Sequence, residues 1–261
     1  PQVLIDQNRG NQKSIFIFVL SILENILYKY SDKIITLSKN SKEYIENKGG
    51  KNITWLPNGP ELKYFKYSEL PKEENKFSLK RPFKILYTGA HGESNDLNNI
   101  IETAKLLKEL PIKFIFVGDG PEKFKLIESA KDMNNVIFKD PIPKKNIPLL
   151  LKEADAILIS LKDIKVFKYG ISPNKLYDAY AIGRPIISTV EGSVNEEINK
   201  YNIGVTCKPG APKSLANSIK KLLNLSRKER TQMGKNGRLL AETIYSREII
   251  TKNDKRLDFL M

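Results

Sequence analysis

One cysteine, one histidine and one tryptophan occur in 261 residues. The lone cysteine, Cys207, excludes an internal disulfide framework and fits a reducing compartment, so a cytoplasmic setting is expected. One cysteine and one histidine leave no zinc site built from several such ligands. No apolar run approaches the roughly 20 residues of a membrane-spanning helix, and nothing resembles a signal peptide. Arginine-rich arms and aromatic-basic stripes are missing too, so nucleic acid is not expected as a partner. The net charge of +14 is mostly lysine spread along the whole chain. It reads either as a solvated surface or as attraction to an anionic membrane.

What is present is an alternation of short apolar runs with amphipathic stretches. Gln2–Asp6 reads as a strand end, residues 14–30 as a strongly apolar helix, and 33–37 as a strand. That helix is expected to be buried between layers, with interfacial membrane docking as the sharper alternative. A short helix over 41–47 and a strand over 53–56 follow, closed by Pro57-Asn58-Gly59-Pro60. Two or three such units are too few for a complete domain, so residues 1–62 read as the tail of one. Residues 63–81 read as a linker, 82–245 as a full domain, and 246–261 as a terminal helix. From Phe83 onward strands over 83–88, 112–117, 136–139, 156–160, 185–189 and 204–207 alternate with helices. Continuous apolar strands in that order specify an α/β fold, a doubly wound parallel sheet covered on both faces.

Ligands of such sheets sit beyond the carboxyl ends of the strands. Four loops fall there: Gly89–Gly92, Gly118–Pro121, Ile142–Pro143 and the run from Ser172 to Asp178. The last is the most informative. Ser172-Pro173 sets up a helix start, and the amides at Asn174 and Lys175, the helix dipole and the Lys175 ammonium all favour an anion. Leu176 follows, and Asp178, three positions after Lys175, lies on the same helix face. Gly183 ends the helix. A phosphate at the helix start with a carboxylate deeper in describes a nucleoside diphosphate site.

Gly89-Ala90-His91-Gly92 lacks the spacing of a dinucleotide fingerprint, and about 20 residues on a helix runs where the required acid would follow a strand, which disfavours a nicotinamide or flavin enzyme. It is either a turn that lets backbone approach a phosphate, with His91 donating a hydrogen bond, or a plain turn with a surface histidine. Gly118-Asp119-Gly120 is either a loop requiring positive φ or a wall against the base or ribose. Residues 162–170 read as a solvated loop above the site.

With these residues in view, the chain resembles the family-4 retaining glycosyltransferases of the two-domain GT-B fold. Closest is the branch that builds bacterial surface polysaccharides from UDP-N-acetylamino sugars, such as the fucosamine-type transferases. Trp55-Leu56-Pro57-Asn58-Gly59, Tyr87-Thr88-Gly89-Ala90-His91-Gly92, Phe116–Pro121 and Ser172–Ala179 carry the likeness. Two departures stand out. The family has two glutamates eight positions apart, where this chain has Gly170 and Asp178. It also has an arginine and a lysine after the domain's first strand, near which Ala90 and Asn95 stand here.

The resemblance implies a UDP-sugar donor, a lipid-linked saccharide acceptor at the inner membrane face, retention of configuration and no metal or other cofactor. Lys175, replacing the lost charges, and His91 are the implied catalytic side chains. Uracil is expected near Gly118–Gly120 and Ile142, and ribose hydroxyls at Asp178. The final helix, around Arg247–Phe259, is expected to cross back to the N-terminal domain. The chain is expected to be a piece of a longer protein, able to bind donor but not to transfer alone. A UDP-sugar epimerase of the same fold and a non-catalytic nucleotide-sugar-binding protein are the other classes compatible with these residues.

Overall fold

A computed structural model describes residues 1–6, 14–71, 81–168 and 170–252. The first unit comprises α1 (Gln2–Asp6), α2 (Ile15–Tyr30), β1 (Ile34–Thr36), α3 (Ser41–Asn47) and β2 (Ile53–Trp55). In it β1 and β2 pair in parallel, Ile34 opposite Ile53. The second unit opens with β3 (Phe83–Thr88), α4 (Leu97–Leu106), β4 (Ile112–Val117), α5 (Lys123–Ser129) and β5 (Val136–Lys139). It continues through α6 (Ile147–Lys152), β6 (Ala156–Ile159), α7 (Lys165–Lys168), α8 (Asn174–Ile182) and β7 (Ile186–Ser188). Then come α9 (Ser193–Lys200), β8 (Gly204–Thr206), α10 (Pro212–Asn224), α11 (Arg227–Leu240) and α12 (Arg247–Lys252).

Strands β3 to β8 form one parallel sheet in the order β5-β4-β3-β6-β7-β8. Its apolar strands serve both faces because successive side chains alternate. Phe83, Ile85 and Tyr87 of β3 join the cluster that includes Ile100 of α4 and Ile219 of α10. Leu86 joins the opposite cluster, with Leu151 of α6, Leu176 of α8 and Ile198 of α9. The doubly wound expectation therefore holds, and the candidate loops follow the carboxyl ends of β3, β4, β5 and β6.

Several local expectations are corrected. Gln2–Asp6 is helical, with the Leu4 and Ile5 amides donating to the Pro1 carbonyl. A five-residue apolar stretch carries no period that separates strand from helix. α2 is not sandwiched between layers: Ile17 is its buried residue, while Phe16, Phe18, Leu23 and Leu27 are half or more exposed. Among the described residues no helix is long and apolar enough to cross a membrane. Residues 165–168 form one helical turn inside the stretch read as a loop. Most of the linker, 72–80, and the end of the terminal helix beyond 252 lie outside the described residues.

The two units meet at defined contacts. The Asn58 amide donates to Ser172 Oγ at 3.2 Å, and Asn58 Nδ2 donates to the Ser172 carbonyl at 2.8 Å. Arg247 at the start of α12 pairs with Glu61 at 2.8 Å and donates to the Gly59 carbonyl. Gly170, with φ +108°, abuts the Ser38 side chain so closely that a Cβ would collide with it. Arg184, fully buried, donates to the carbonyls of Ser68, Glu69 and Lys152 and so pins the start of the linker against the second unit.

Candidate functional site

The loops after β3 and β4 lean on each other backbone to backbone. The Gly89 amide donates to the Val117 carbonyl at 3.0 Å, and the His91 amide to the Asp119 carbonyl at 2.7 Å. A Cβ at Gly118 would clash with the Gly89 carbonyl, and one at Gly120 would lie 2.6 Å from the His91 carbonyl oxygen. These glycines are thus required by the approach of one loop to the other. They underpin Gly89–Gly92. Asp119 is exposed, and its carboxylate accepts from the Gly120 amide at 2.8 Å.

His91 is not a surface histidine. Its ring is fully buried among Tyr87, Phe116 and Phe138, and neither ring nitrogen has a hydrogen-bond partner among the described residues. Burial is the main cause that lowers its pKa, aided by Lys123 and Lys175, so the imidazole is held neutral. The structure therefore corrects the expectation of an accessible phosphate donor at this side chain. Its backbone is the part that contributes, by joining the two loops. Gly92 lines a separate recess with Glu93, Asp96 and Lys162.

Helix α8 starts after Pro173 and ends at Gly183, whose φ of +77° is the left-handed helix cap that glycine favours. Among the described residues no side chain caps its first amides. Ser172 is held by Asn58 and lies 2.9 Å from the Tyr177 hydroxyl. Leu176 is core, 2% exposed, so its role is packing. The Lys175 ammonium turns inward to the turn after β3. A Cβ at Gly89 would stand 3.0 Å from Nζ, and the Tyr87 ring centroid is 4.1 Å away. Burial pulls the Lys175 pKa down to about 8, with no carboxylate among the described residues to compensate. An ammonium so placed attracts an anion.

On the other side of α8 lies a cavity of about 410 Å³ between α6, α8 and the segment after β2; Asp178 lines it and Lys175 does not, which corrects the expectation that the two share one helix face. Asn174 and Asp178 form one wall, and Phe65 and Pro148 supply apolar surface. Five basic residues, Lys66, Lys144, Lys145, Lys152 and Arg247, line it against two acidic ones, Glu61 and Asp178. Burial raises the Asp178 pKa to about 6, against the pull of Lys144 and Arg247. Ile142 is half-buried and packs on the core. Lys144 and Arg247 were not singled out in the sequence. Lys144 follows Ile142-Pro143 closely enough to have been included; Arg247 reaches the cavity only through the fold.

The model of the family described as glycosyl transferases group 1 matches residues 71–240. The chain belongs to that family. Among curated relatives, it is 29% identical over 168 residues to WcaI of Escherichia coli, named for colanic acid biosynthesis, covering 61% of this chain and 41% of that one. It is 27% identical over 252 residues to the capsular polysaccharide biosynthesis glycosyltransferase CapM of Staphylococcus aureus, covering 89% and 63%. The chain thus spans from two-fifths to under two-thirds of the length of these relatives. Among solved structures, HepE of Anabaena in complex with UDP-glucose superposes with a TM-score of 0.73 at 17% identity, covering 92% of this chain and 66% of that one. That likeness shows the fold, the one shared by GT-B glycosyltransferases.

Proposed function

We propose that the chain is the donor-binding part of a transferase that takes its sugar from UDP, with the diphosphate held at the start of α8. The observation that carries this reading is the Lys175 ammonium, inward-facing, unpaired by any described carboxylate and set against Gly89. The uncapped first amides of α8 add a partial positive charge at the same point. Asn174 and Asp178 continue the site into the basic cavity, where Asp178 accepts from ribose hydroxyls and the apolar wall beyond suits a base. As the sugar departs, negative charge builds on UDP, and fixed positive groups stabilise that state more than the bound donor.

The finer assignments follow the motif resemblance: an N-acetylamino sugar of fucosamine type, a lipid-linked or polysaccharide acceptor, retention, and no metal or other cofactor. In this reading residues 1–62 belong to the acceptor domain and 82–245 form the donor domain. The exposed apolar face of α2 and the basic excess support peripheral contact with an anionic membrane. Calorimetric titration with UDP tests the site. Lys175→Ala is expected to weaken binding about tenfold, roughly 1.4 kcal/mol; unchanged affinity overturns the assignment. The anomeric configuration of transferred sugar, read by NMR of the product, tests retention.

A further inference from the structure

Tyr87 is the penultimate residue of β3, and it is 1% exposed. It touches two parts of the site at once. Its ring lies under the Lys175 ammonium, with Nζ 4.1 Å from the centroid. Its hydroxyl donates to the Ala90 carbonyl at 2.7 Å, bridging the turn that contains Gly89. A Cβ at Gly89 would stand 3.0 Å from Lys175 Nζ and 3.6 Å from the Tyr87 hydroxyl oxygen, so strand, loop and helix converge on one point.

Neither contact is what core packing demands. A strand residue serving only the interior does as well as phenylalanine, because a buried hydroxyl costs free energy unless it is bonded. This hydroxyl is bonded to the loop. An ammonium removed from water needs compensation, and the electron-rich face of an aromatic ring supplies some of it. Burial of Tyr87 also raises its pKa, which keeps the hydroxyl protonated and able to donate.

We infer that Tyr87 is a positioning residue that holds the Lys175 ammonium and the Gly89–Gly92 loop in fixed relation before a nucleoside diphosphate arrives. The inference rests on the assignment of Lys175 to the diphosphate. A prearranged site binds more tightly because less freedom is lost on association.

UDP titrations of the whole chain in four forms test it: wild type, Tyr87→Leu, Lys175→Ala and the double variant. Each single change is expected to weaken UDP about tenfold, and the double variant little more than either alone, since both act through one ammonium. Losses that multiply to about a hundredfold overturn the Tyr87 role and leave the diphosphate site standing. Lys175→Ala with wild-type affinity overturns the site itself. Tyr87→Phe keeps the ring and removes the tether, so it stays informative if Tyr87→Leu does not fold. It is expected to bind UDP about two- to threefold more weakly, with the same pH midpoint as wild type, because the ring still faces the ammonium. Wild-type affinity in Tyr87→Phe overturns the proposal as stated.

Discussion

Lys175 and Asp178 sit on one turn of α8, and the protein disfavours the charged form of both. For Asp178, raised to about 6, the folded state holds its proton more tightly than the unfolded chain. Its contribution to stability is therefore present below the ordinary carboxyl value of 3.8 and lost as pH rises through about 6. Asp178→Asn is expected to raise the melting temperature at pH 7, by the equivalent of about 1–3 kcal/mol. The same change is expected to weaken UDP about fivefold or more through the lost ribose contact. Thermal melts beside calorimetry check the pair; a variant that is both less stable and equally tight contradicts the assignment.

Lys175 runs the other way. Its folded pKa, about 8, lies below the ordinary lysine value of 10.5, so the unfolded chain binds the proton more tightly and stability rises with pH across that window. Binding is expected to move oppositely, because deprotonation removes the charge proposed to hold the diphosphate. UDP affinity is expected to fall as pH rises through about 8, and Lys175→Ala to flatten that decline. A profile that stays flat in the wild type separates Lys175 from the anion.

At the scale of elements, α8 is aimed by its neighbour α11. A Cβ at Gly234 of α11 would drive into the Gly183 carbonyl, whereas one at Gly237 would come to 3.2 Å of Ile203 and Tyr180 side-chain atoms. Gly234→Ala is expected to lose about 3 kcal/mol of stability, and Gly237→Ala to stay within about 1 kcal/mol of wild type, where the gain in helix propensity offsets mild crowding. Denaturant midpoints measure both.

The same scale explains what could be read in advance. Apolar runs that serve two sheet faces announce a parallel strand whatever lies around them, so β3 to β8 were legible within a residue or two. The α8 start and its glycine end were legible because both are local chemistry. The work of Gly118 and Gly120 was not, since it depends on a loop nearly 30 residues away. Exposure on α2 was hidden as well: apolar residues all round a helix say that a cover is needed, not that the described residues provide one.

At the scale of the molecule, the second unit presents its strand ends toward the first, and Asn58 bridges them. Its two bonds to Ser172 fix the approach to α8, so the proposed diphosphate site depends on a residue outside the second unit. Asn58→Ala is expected to weaken UDP several-fold with a melting temperature within about 3 °C of wild type, because a single interfacial pair contributes about 1 kcal/mol. Equal affinity in the variant shows that the two units bind independently. The sequence revealed the two βα patterns and the Pro57–Pro60 stop between them, but not this joint. Arg247 and Asn58 reach their partners across 186 and 114 positions, beyond any local signal.

The abutment of Gly170 on Ser38 has a practical corollary for redesign. A carboxylate placed at 170, the position that the motif resemblance matches to a glutamate, meets a backbone angle that resists a side chain and a neighbour already in the way. A lone exchange would wedge the halves apart before the new acid touched a sugar. The refit requires a matched pair, with the facing serine trimmed first, or a carboxylate borrowed from another loop.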